Sequence, residues 1–378
     1  MNTDTRDTAA RFHADLVDLL LARGTVRSGR VEAALRAVPR HPFVPDVSLE
    51  TAYTPDDAVV TKRDNAGAAL SSASAPGVVA SMLEQLDVQP GDRILEIGAG
   101  TGYNAALLAE LAGPTGRVVT LDIDADVVDA ARAALASTGY GQVEVRCADG
   151  AEGHPPTAPY DRVIVTGGTT RSIAFDRHND HLVSRSMVTC GFLAMRGIGS
   201  PPEPVAVLAD GVTLLLGDGR PAPPDTLAHA LTLPALRSWS GIMIRSGRPF
   251  QDLDLWLAIT SRGFCRIVAQ PRAVETDLAT PAFRWGGAAM TNETDSLAYL
   301  TIRPSEPADD GPVFELGVRA HGPHRDELTA SLLARIECWD SQHRETTPLI
   351  TAHVKPSQVT AATIIDKPDT LLAVTWCA

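Results

Sequence analysis

The chain has 378 residues, of which 44% are hydrophobic and 21% charged, with a formal net charge of −13. That length allows two domains, and that charge argues against a sequence-independent grip on nucleic-acid backbone, which needs clustered Lys and Arg. No apolar run approaches the ~20 residues of a membrane span, and the polar, acidic start Met-Asn-Thr-Asp-Thr-Arg-Asp is no signal peptide, so a cytoplasmic protein with neither nucleic acid nor membrane as partner is expected.

In chain order, Phe12, Leu16, Leu19 and Leu20 form a helical stripe over Ala9 to Ala22, closed by Gly24. A second short helix over Arg30 to Val38 stops at Pro39, and His41-Pro-Phe-Val-Pro45 must be extended or turned. A loop of Asp, Thr, Asn and Gly follows and ends in Leu70-Ser-Ser-Ala-Ser-Ala-Pro76. Pro76 suits the first turn of a helix running from Val78 to Leu86. Strands and helices then alternate: strand Arg93–Ile97, helix Asn104–Leu111, strand Arg117–Asp122, helix Ala125–Ser137, then strands Val143–Cys147 and Asp161–Thr166. This rhythm, with strands apolar on both faces, predicts a parallel sheet with helices on both faces, that is, an α/β Rossmann-like fold.

After Thr170 the pattern changes. His181 to Met195 reads as strand, and Val205–Leu208 and Thr213–Leu216 flank Ala-Asp-Gly as a hairpin. Proline and glycine cluster at Gly199–Pro204 and Gly217–Pro224, a plausible boundary zone, and all five tryptophans (239, 256, 285, 339, 376) lie beyond it. Strands are expected near Ser240–Arg245, Phe264–Val268, Ala298–Arg303 and Phe314–Ala320, with a helix over Arg325–Trp339 and an amphipathic helical turn at Phe250–Leu257. The domains expected are 1–198, an N-terminal helical segment with the parallel sheet, and 199–378, a C-terminal α+β domain. Most of the tryptophans are expected in its core, a ligand surface being the alternative.

The run Arg93-Ile-Leu-Glu-Ile-Gly-Ala-Gly-Thr-Gly-Tyr103 carries the most chemistry. Glycines at a strand-to-helix turn let a ligand sit against bare backbone. The spacing is E-x-G-x-G-x-G, not the G-x-G-x-x-G of dinucleotide sites, and no Gly-Lys-Ser/Thr tripeptide of a P-loop occurs. Glu96 inside the loop would repel a pyrophosphate and attract a cationic amino-acid tail. At the end of the next strand, Asp122 can accept both hydroxyls of a ribose. An adenosine without phosphate, bearing an ammonium and a sulfonium, is S-adenosylmethionine. Asp149, at a third strand end, reads either as a turn residue or as an adenine contact. The residues expected to hold this cofactor are Glu96, Gly98, Ala99, Gly100, Thr101, Gly102, Asp122, Ile123, Asp149, Gly150 and Thr166.

The five cysteines (147, 190, 265, 338, 377) are scattered, with no C-x-x-C pair, and read as reduced, mostly buried thiols. His178 and His181, like His321 and His324, are three apart but lack a Cys or carboxylate cluster, so no metal is expected.

Ser72-Ala-Ser-Ala-Pro76, Glu96 to Gly102, and Asp149-Gly-Ala-Glu-Gly153…Ala158-Pro-Tyr-Asp161 together resemble the protein L-isoaspartate O-methyltransferases, with their I-S-x-P segment and D-G-x-x-G…A-P-Y-D block. The remaining chain, from Thr170-Arg-Ser-Ile-Ala-Phe through Cys190-Gly-Phe to Phe250-Gln-Asp-Leu-Asp-Leu-Trp-Leu, is similar to an actinobacterial branch that accompanies lanthipeptide genes, the FxLD-system methyltransferases. The resemblance implies methylation of an aspartate carboxylate on a ribosomal precursor peptide (leader plus core), followed by aspartimide and isoaspartate. It also implies that Ser74 lies beside the reacting carboxylate. Ser74, with Ser72, is the catalytic candidate, and a polar loop and helix cap is the competing role for these serines. One departure stands out. The family has a further helix and strand after the fourth strand, whereas here Val165-Thr-Gly-Gly168 runs directly into Thr169-Thr-Arg-Ser.

A substrate carboxylate is already ionised at neutral pH, so the absence of a Ser-His-Asp set is no obstacle. Two other readings stay open: a repair enzyme for isoaspartate in damaged proteins, and a cofactor-binding peptide-docking module without turnover.

Overall fold

The structure, a computed structural model, describes residues 3–65, 67–167, 171–190, 193, 205–216, 223–245, 251–282, 286–307, 311–344, 346–361, 363–367 and 369–376. The chain divides into two compact units, Met1–Ala174 with Ser186–Pro201, and Phe175–Arg185 with Pro202–Ala378. The boundary expected at 198/199 lies outside the described residues.

The first unit opens with α1 (Thr3–Ala22), α2 (Gly29–Ala37) and the short α3 (Leu49–Ala52), with a single 3-10 turn at His41–Phe43 between the last two. Ser28 caps α2 by accepting from the Val31 amide. In turn Glu84 Oε1 accepts from the amides of Arg27 and Ser28, each at 2.9 Å. The stretch expected as a loop after α3 is instead a β-hairpin, β1 (Val59–Arg63) with β2 (Ala69–Ala73), in antiparallel register from Val59↔Ala73. The strands are short and mostly polar, so no period-2 apolar alternation marks them.

A βαβ run follows α4 (Pro76–Leu86): β3 (Arg93–Ile97), α5 (Tyr103–Ala112), β4 (Arg117–Asp122), α6 (Ala125–Ser137), β5 (Glu144–Cys147) and β6 (Arg162–Val165). β4, β3 and β6 are parallel neighbours in a four-stranded sheet of order β5-β4-β3-β6. The class is therefore the Rossmann-like one expected from the alternation.

The helices gather on one face only. Ile94, Val118, Val145 and Ile164 share a core with Val79 and Leu83 of α4, Leu107 and Leu108 of α5, and Val128 and Leu135 of α6. The opposite face buries Leu95, Val119 and Leu121 against Ile97 and Tyr160, with no helical residue among them. Val163 and Val165 on the edge strand β6 are 52% and 41% exposed.

Next comes a pair of strands, β7 (Arg171–His178) and β8 (His181–Thr189), of which residues 175–185 belong to the second unit. That unit contains β9 (Val205–Ala209), β10 (Val212–Leu215), α7 (Pro224–Thr232), β11 (Leu236–Arg245), α8 (Gln251–Thr260), β12 (Phe264–Ala269), α9 (Pro271–Glu275), β13 (Gly287–Thr291), β14 (Leu297–Pro304), β15 (Val313–His321) and α10 (Arg325–Cys338). β16 (Leu349–Val354), β17 (Thr363–Asp366) and β18 (Thr370–Thr375) complete it. Seven strands form one sheet of order β11-β15-β14-β13-β12-β10-β9, and a second sheet has the order β17-β18-β16-β8-β7. The α+β expectation matches this content. The hairpin expected around Ala-Asp-Gly pairs as β9 and β10, and α8 is a ten-residue helix rather than one turn.

Two expectations fail. Among the four described tryptophans only Trp339 is buried, at 1% exposure, while Trp239, Trp256 and Trp376 are half-buried. Trp256 and Trp376 meet edge to face with His343 against both, an arrangement that shields rings without enclosing them. Of the four described cysteines, all free thiols, Cys265 alone is buried and Cys147 is exposed because it ends the edge strand β5. Among the described residues no group could hold a metal ion, and no helix is long and apolar enough to cross a membrane.

Candidate functional site

The carboxyl ends of β3, β4, β5 and β6 meet at a cavity of about 140 Å3 in the first unit. Strand ends are where an open α/β sheet exposes backbone that no neighbouring strand uses. The loop after β3 supplies Gly98, Ala99, Gly100 and Thr101; β4 supplies Asp122 and Ile123; Ala148 and Gly150 come from the β5 end, and Thr166 from the β6 end. Ser72 and Ser74 line the same cavity from the hairpin side.

Glu96 is wholly buried at its floor. Oε1 accepts from Asn104 Nδ2 at 2.7 Å, and Oε2 has no partner among the described residues. Burial pushes this carboxyl from 4.5 up to about 7; the Thr120 hydroxyl from the neighbouring strand β4 and then the Asn104 amide work against that rise, and the nearby Asp122 charge adds to it. An ionised Glu96 thus has neutral donors beside it but no cation among the described residues.

The glycine loop is shaped by close approach. Gly98 has φ +101, and a Cβ there would stand 2.5 Å from Thr166 Oγ1, the hydroxyl that donates to Gly98 O at 2.7 Å. Gly100 has φ +51, and its Cβ would meet Ser72 O at 3.3 Å, so the hairpin lies directly over the loop. Asp122 is fixed from two sides: Oδ2 accepts from the Gly100 amide and Oδ1 from the Asp124 amide, each at 3.2 Å. Each oxygen keeps lone-pair capacity for a hydroxyl donor.

Two of the expected cofactor residues stand aside from the cavity wall. Gly102 caps α5 and packs on Leu135, and Asp149 uses its carboxylate on the Ala151 amide at 2.9 Å. Ser74 does not cap α4; Ala75 holds the cap position, and no side chain bonds there. Neither Ser72 nor Ser74 has a side-chain hydrogen bond among the described residues, which leaves both hydroxyls for a ligand.

Three residues escaped the sequence reading. Asn104 holds Glu96 from the first turn of α5. Arg40, 1% exposed, lines the cavity; its Nε donates to Ala52 O at 2.9 Å and its Nη2 to Ala73 O at 3.2 Å, with the Tyr103 ring 5.1 Å away. Its only signal was a cation set between two prolines. Lys62 on β1 reaches across to α6: Nζ donates to Asp124 Oδ1 at 2.7 Å, to Asp124 Oδ2 at 2.8 Å and to Asp126 Oδ2 at 2.9 Å. Asp124 follows Asp122 by two residues, so this pair ties the hairpin bearing Ser72 to the strand end bearing Asp122.

A glycine loop open to backbone contact, a buried carboxylate lacking one partner and a second carboxylate at the next strand end fit an adenosyl ligand with a cationic tail. These features on a Rossmann-like sheet define the class of S-adenosylmethionine-dependent methyltransferases. The family model of protein-L-isoaspartate(D-aspartate) O-methyltransferase matches residues 11–173. A protein-L-isoaspartate O-methyltransferase of Methanopyrus kandleri is 44% identical over 159 residues, 42% of this chain and 67% of that protein. One of Ignicoccus hospitalis is 39% identical over 157 residues, 42% of this chain and 71% of that protein. A solved protein-L-isoaspartate O-methyltransferase superposes with a TM-score of 0.47 at 20% identity, over 90% of this chain and 96% of that one. The chain belongs to the protein-L-isoaspartate O-methyltransferase family, and by class it is a carboxyl O-methyltransferase that uses S-adenosylmethionine.

Two outcomes are expected from this geometry. An unfolded glutamate releases its proton near 4.5 and the folded Glu96 near 7. Between those values the native state holds the extra proton, so stability falls as pH rises through the window and levels off above it. Glu96→Gln should therefore melt higher than wild type at pH 8 in ligand-free thermal scans, with the gap closing towards pH 4.5. The distance from 4.5 to about 7, at ~1.4 kcal/mol per pH unit, sets a ceiling of ~3 kcal/mol. A gap that does not change with pH rules out a titrating Glu96. Lys62→Met should speed amide hydrogen exchange across residues 59–73 while leaving β3 and β4 protected. Unchanged exchange in the hairpin means that other contacts hold it down.

Proposed function

We propose that this protein transfers the methyl group of S-adenosylmethionine to an aspartate side-chain carboxylate of a ribosomally synthesised, lanthipeptide-type precursor peptide. When bound, S-adenosylmethionine supplies an electrophilic methyl on a sulfonium. In this reading Asp122 takes the ribose hydroxyls, the glycine loop lets the adenosyl group approach backbone, and Glu96 takes the ammonium of the amino-acid tail. Ser74 donates its hydroxyl to the acceptor carboxylate and fixes the lone pair that attacks, with Ser72 beside it. No proton needs to be removed. The observation that carries the reading is the composition of the cavity wall, whose described residues include two acids, one arginine and two unpartnered serines but no histidine or cysteine. Such a wall suits an already ionised nucleophile, which it has only to position.

Once formed, the ester is open to attack by the next residue's backbone nitrogen. Methanol leaves, an aspartimide closes, and water opens it to aspartate or isoaspartate. That step asks for no group of this chain. The second unit supports a dedicated peptide substrate, since it adds two sheets beyond the span 11–173 that the family model matches. A second reading, methylation of isoaspartate in damaged proteins, is favoured by the names of the relatives matched over that span.

The two readings separate on substrates. The full chain is incubated with a short isoaspartyl peptide and, separately, with an aspartate-bearing precursor, and methyl incorporation is followed by mass spectrometry. Methylation confined to the precursor supports the first reading, and efficient methylation of the short peptide alone replaces it with the second. Within either, Ser74→Ala should lower kcat about 10- to 100-fold, the range of a hydrogen bond to a charged group, with donor affinity unchanged. Asp122→Ala should do the opposite, weakening donor binding by a similar factor in calorimetry and sparing kcat at saturating donor. A Ser74→Ala enzyme with wild-type turnover removes that serine from the site.

A further inference from the structure

Arg40 has a property that its structural bonds do not account for. Two of its nitrogens hold backbone carbonyls, Nε on Ala52 and Nη2 on Ala73, but the third, Nη1, is buried without a hydrogen-bond partner among the described residues. Among the described residues no carboxylate pairs with it, and the Tyr103 ring lies 5.1 Å from its guanidinium. A cation held at 1% exposure with a donor unused carries a desolvation penalty that two carbonyl bonds and one ring offset only in part.

The cavity gives this donor a use. Arg40 is the one cationic side chain among the described lining residues, whose anions are Glu96 and Asp122. The donor-and-acceptor reading above, on which this step rests, brings in two cations (sulfonium and ammonium) and two carboxylates, one on the donor's tail and one on the acceptor. Without Arg40, two positive charges would face four negative ones inside a small space. With Arg40 the imbalance falls from two charges to one. A guanidinium also suits a carboxylate by shape as well as charge.

We propose that Arg40 is a carboxylate-binding residue of this cavity, its unused Nη1–H donating to a ligand carboxylate while its bond to Ala73 O holds the Ser72–Ser74 segment and its bond to Ala52 O anchors the guanidinium on α3. The same cation therefore links recognition of an anionic group to the position of the serine that orients the nucleophile.

Two arms of one experiment separate the two carboxylates. In the first, calorimetry compares S-adenosylhomocysteine with its decarboxylated amine analogue on wild type, Arg40→Lys and Arg40→Met. The amine analogue keeps the ammonium and loses only the acid. If the donor's tail is the ligand, wild type prefers the acid by about tenfold or more. Arg40→Lys then keeps part of that preference, and Arg40→Met loses it. In the second arm, the aspartate peptide is compared with its asparagine counterpart as a competitor. If the acceptor is the ligand, donor affinity is unchanged in the variants, KM for the aspartate peptide rises about tenfold or more, and the advantage of aspartate over asparagine disappears.

Folded Arg40 variants that match wild type in both arms overturn the proposal and leave Arg40 a backbone clamp. Should neither variant fold, the wild-type comparisons decide alone, since indifference to both carboxylates is equally fatal. A wild-type protein that binds neither adenosyl compound instead sinks the underlying methyl-donor reading, a result distinct from binding both equally.

Discussion

One buried carboxylate governs the architecture of the site. Glu96 lies at the end of the central strand β3, fully enclosed, with one oxygen bonded to Asn104 and the other without a partner. A protein core tolerates such a group only by keeping it protonated or by giving it a cation. Here burial moves its proton release to about 7, so near neutral pH both forms are populated and a cationic ligand decides between them. An ionised Glu96 would repel a phosphate, since two like charges at ~4 Å repel by roughly 4 kcal/mol at the effective dielectric of a protein surface. In the proposed function, selection of an adenosyl compound with an ammonium tail against a dinucleotide begins at this residue.

Around that floor the site is assembled from two independent sources. The donor half comes from strand ends, where sheet geometry alone brings Gly98 to Thr101, Asp122 and Thr166 together. The serine half comes from a hairpin that precedes the sheet in sequence. That hairpin is brought in by non-local bonds: Lys62 to Asp124 and Asp126, Arg40 to Ala73, and the close pass of Ser72 over Gly100. Lys62 and Asp124 are 30% and 13% exposed at their side chains, so the pair is partly shielded, and three short bonds converge on one ammonium. These contacts, with Val59 and Ala73 packed into the main core, locate the hairpin over the glycine loop.

The donor half was legible in the sequence and the serine half much less so. Strands β3 and β4 and helix α6 fall within the bounds expected from apolar runs, because parallel strands buried on both faces and a capped amphipathic helix write their own pattern. Glu96 and Asp122 were legible because acids at strand ends serve no packing purpose. Arg40, Asn104 and Lys62 were not, because each acts through a partner 8 to 62 residues away and a lone polar residue carries no period. The hairpin β1–β2 was taken as loop for a related reason: only Val59 and Ala73 of its strands enter the main core, too few to write a period-2 apolar pattern. Asp149 shows the converse, a residue in the right company whose carboxylate turns to its own backbone.

The exposed edge of the sheet bears on function in a limited way. In the order β5-β4-β3-β6 the strand β6 lies at one edge, with Val163 and Val165 exposed. The donor half is centred on β3 and β4, the two strands farthest inside that order, and its polar ties (Glu96 to Asn104, Asp122 to Gly100 and Asp124) involve no residue from β6. β6 contributes through Thr166, whose hydroxyl reaches Gly98 O and Ile97 O from the near side of the strand. The serines and Arg40 come from residues that precede β3 altogether. Exposed apolar side chains on β6 cost stability there, about 25 cal/mol for each Å2 of apolar surface left in water. Glu96, Asp122, Ser72 and Ser74, which line the cavity, all lie outside that strand.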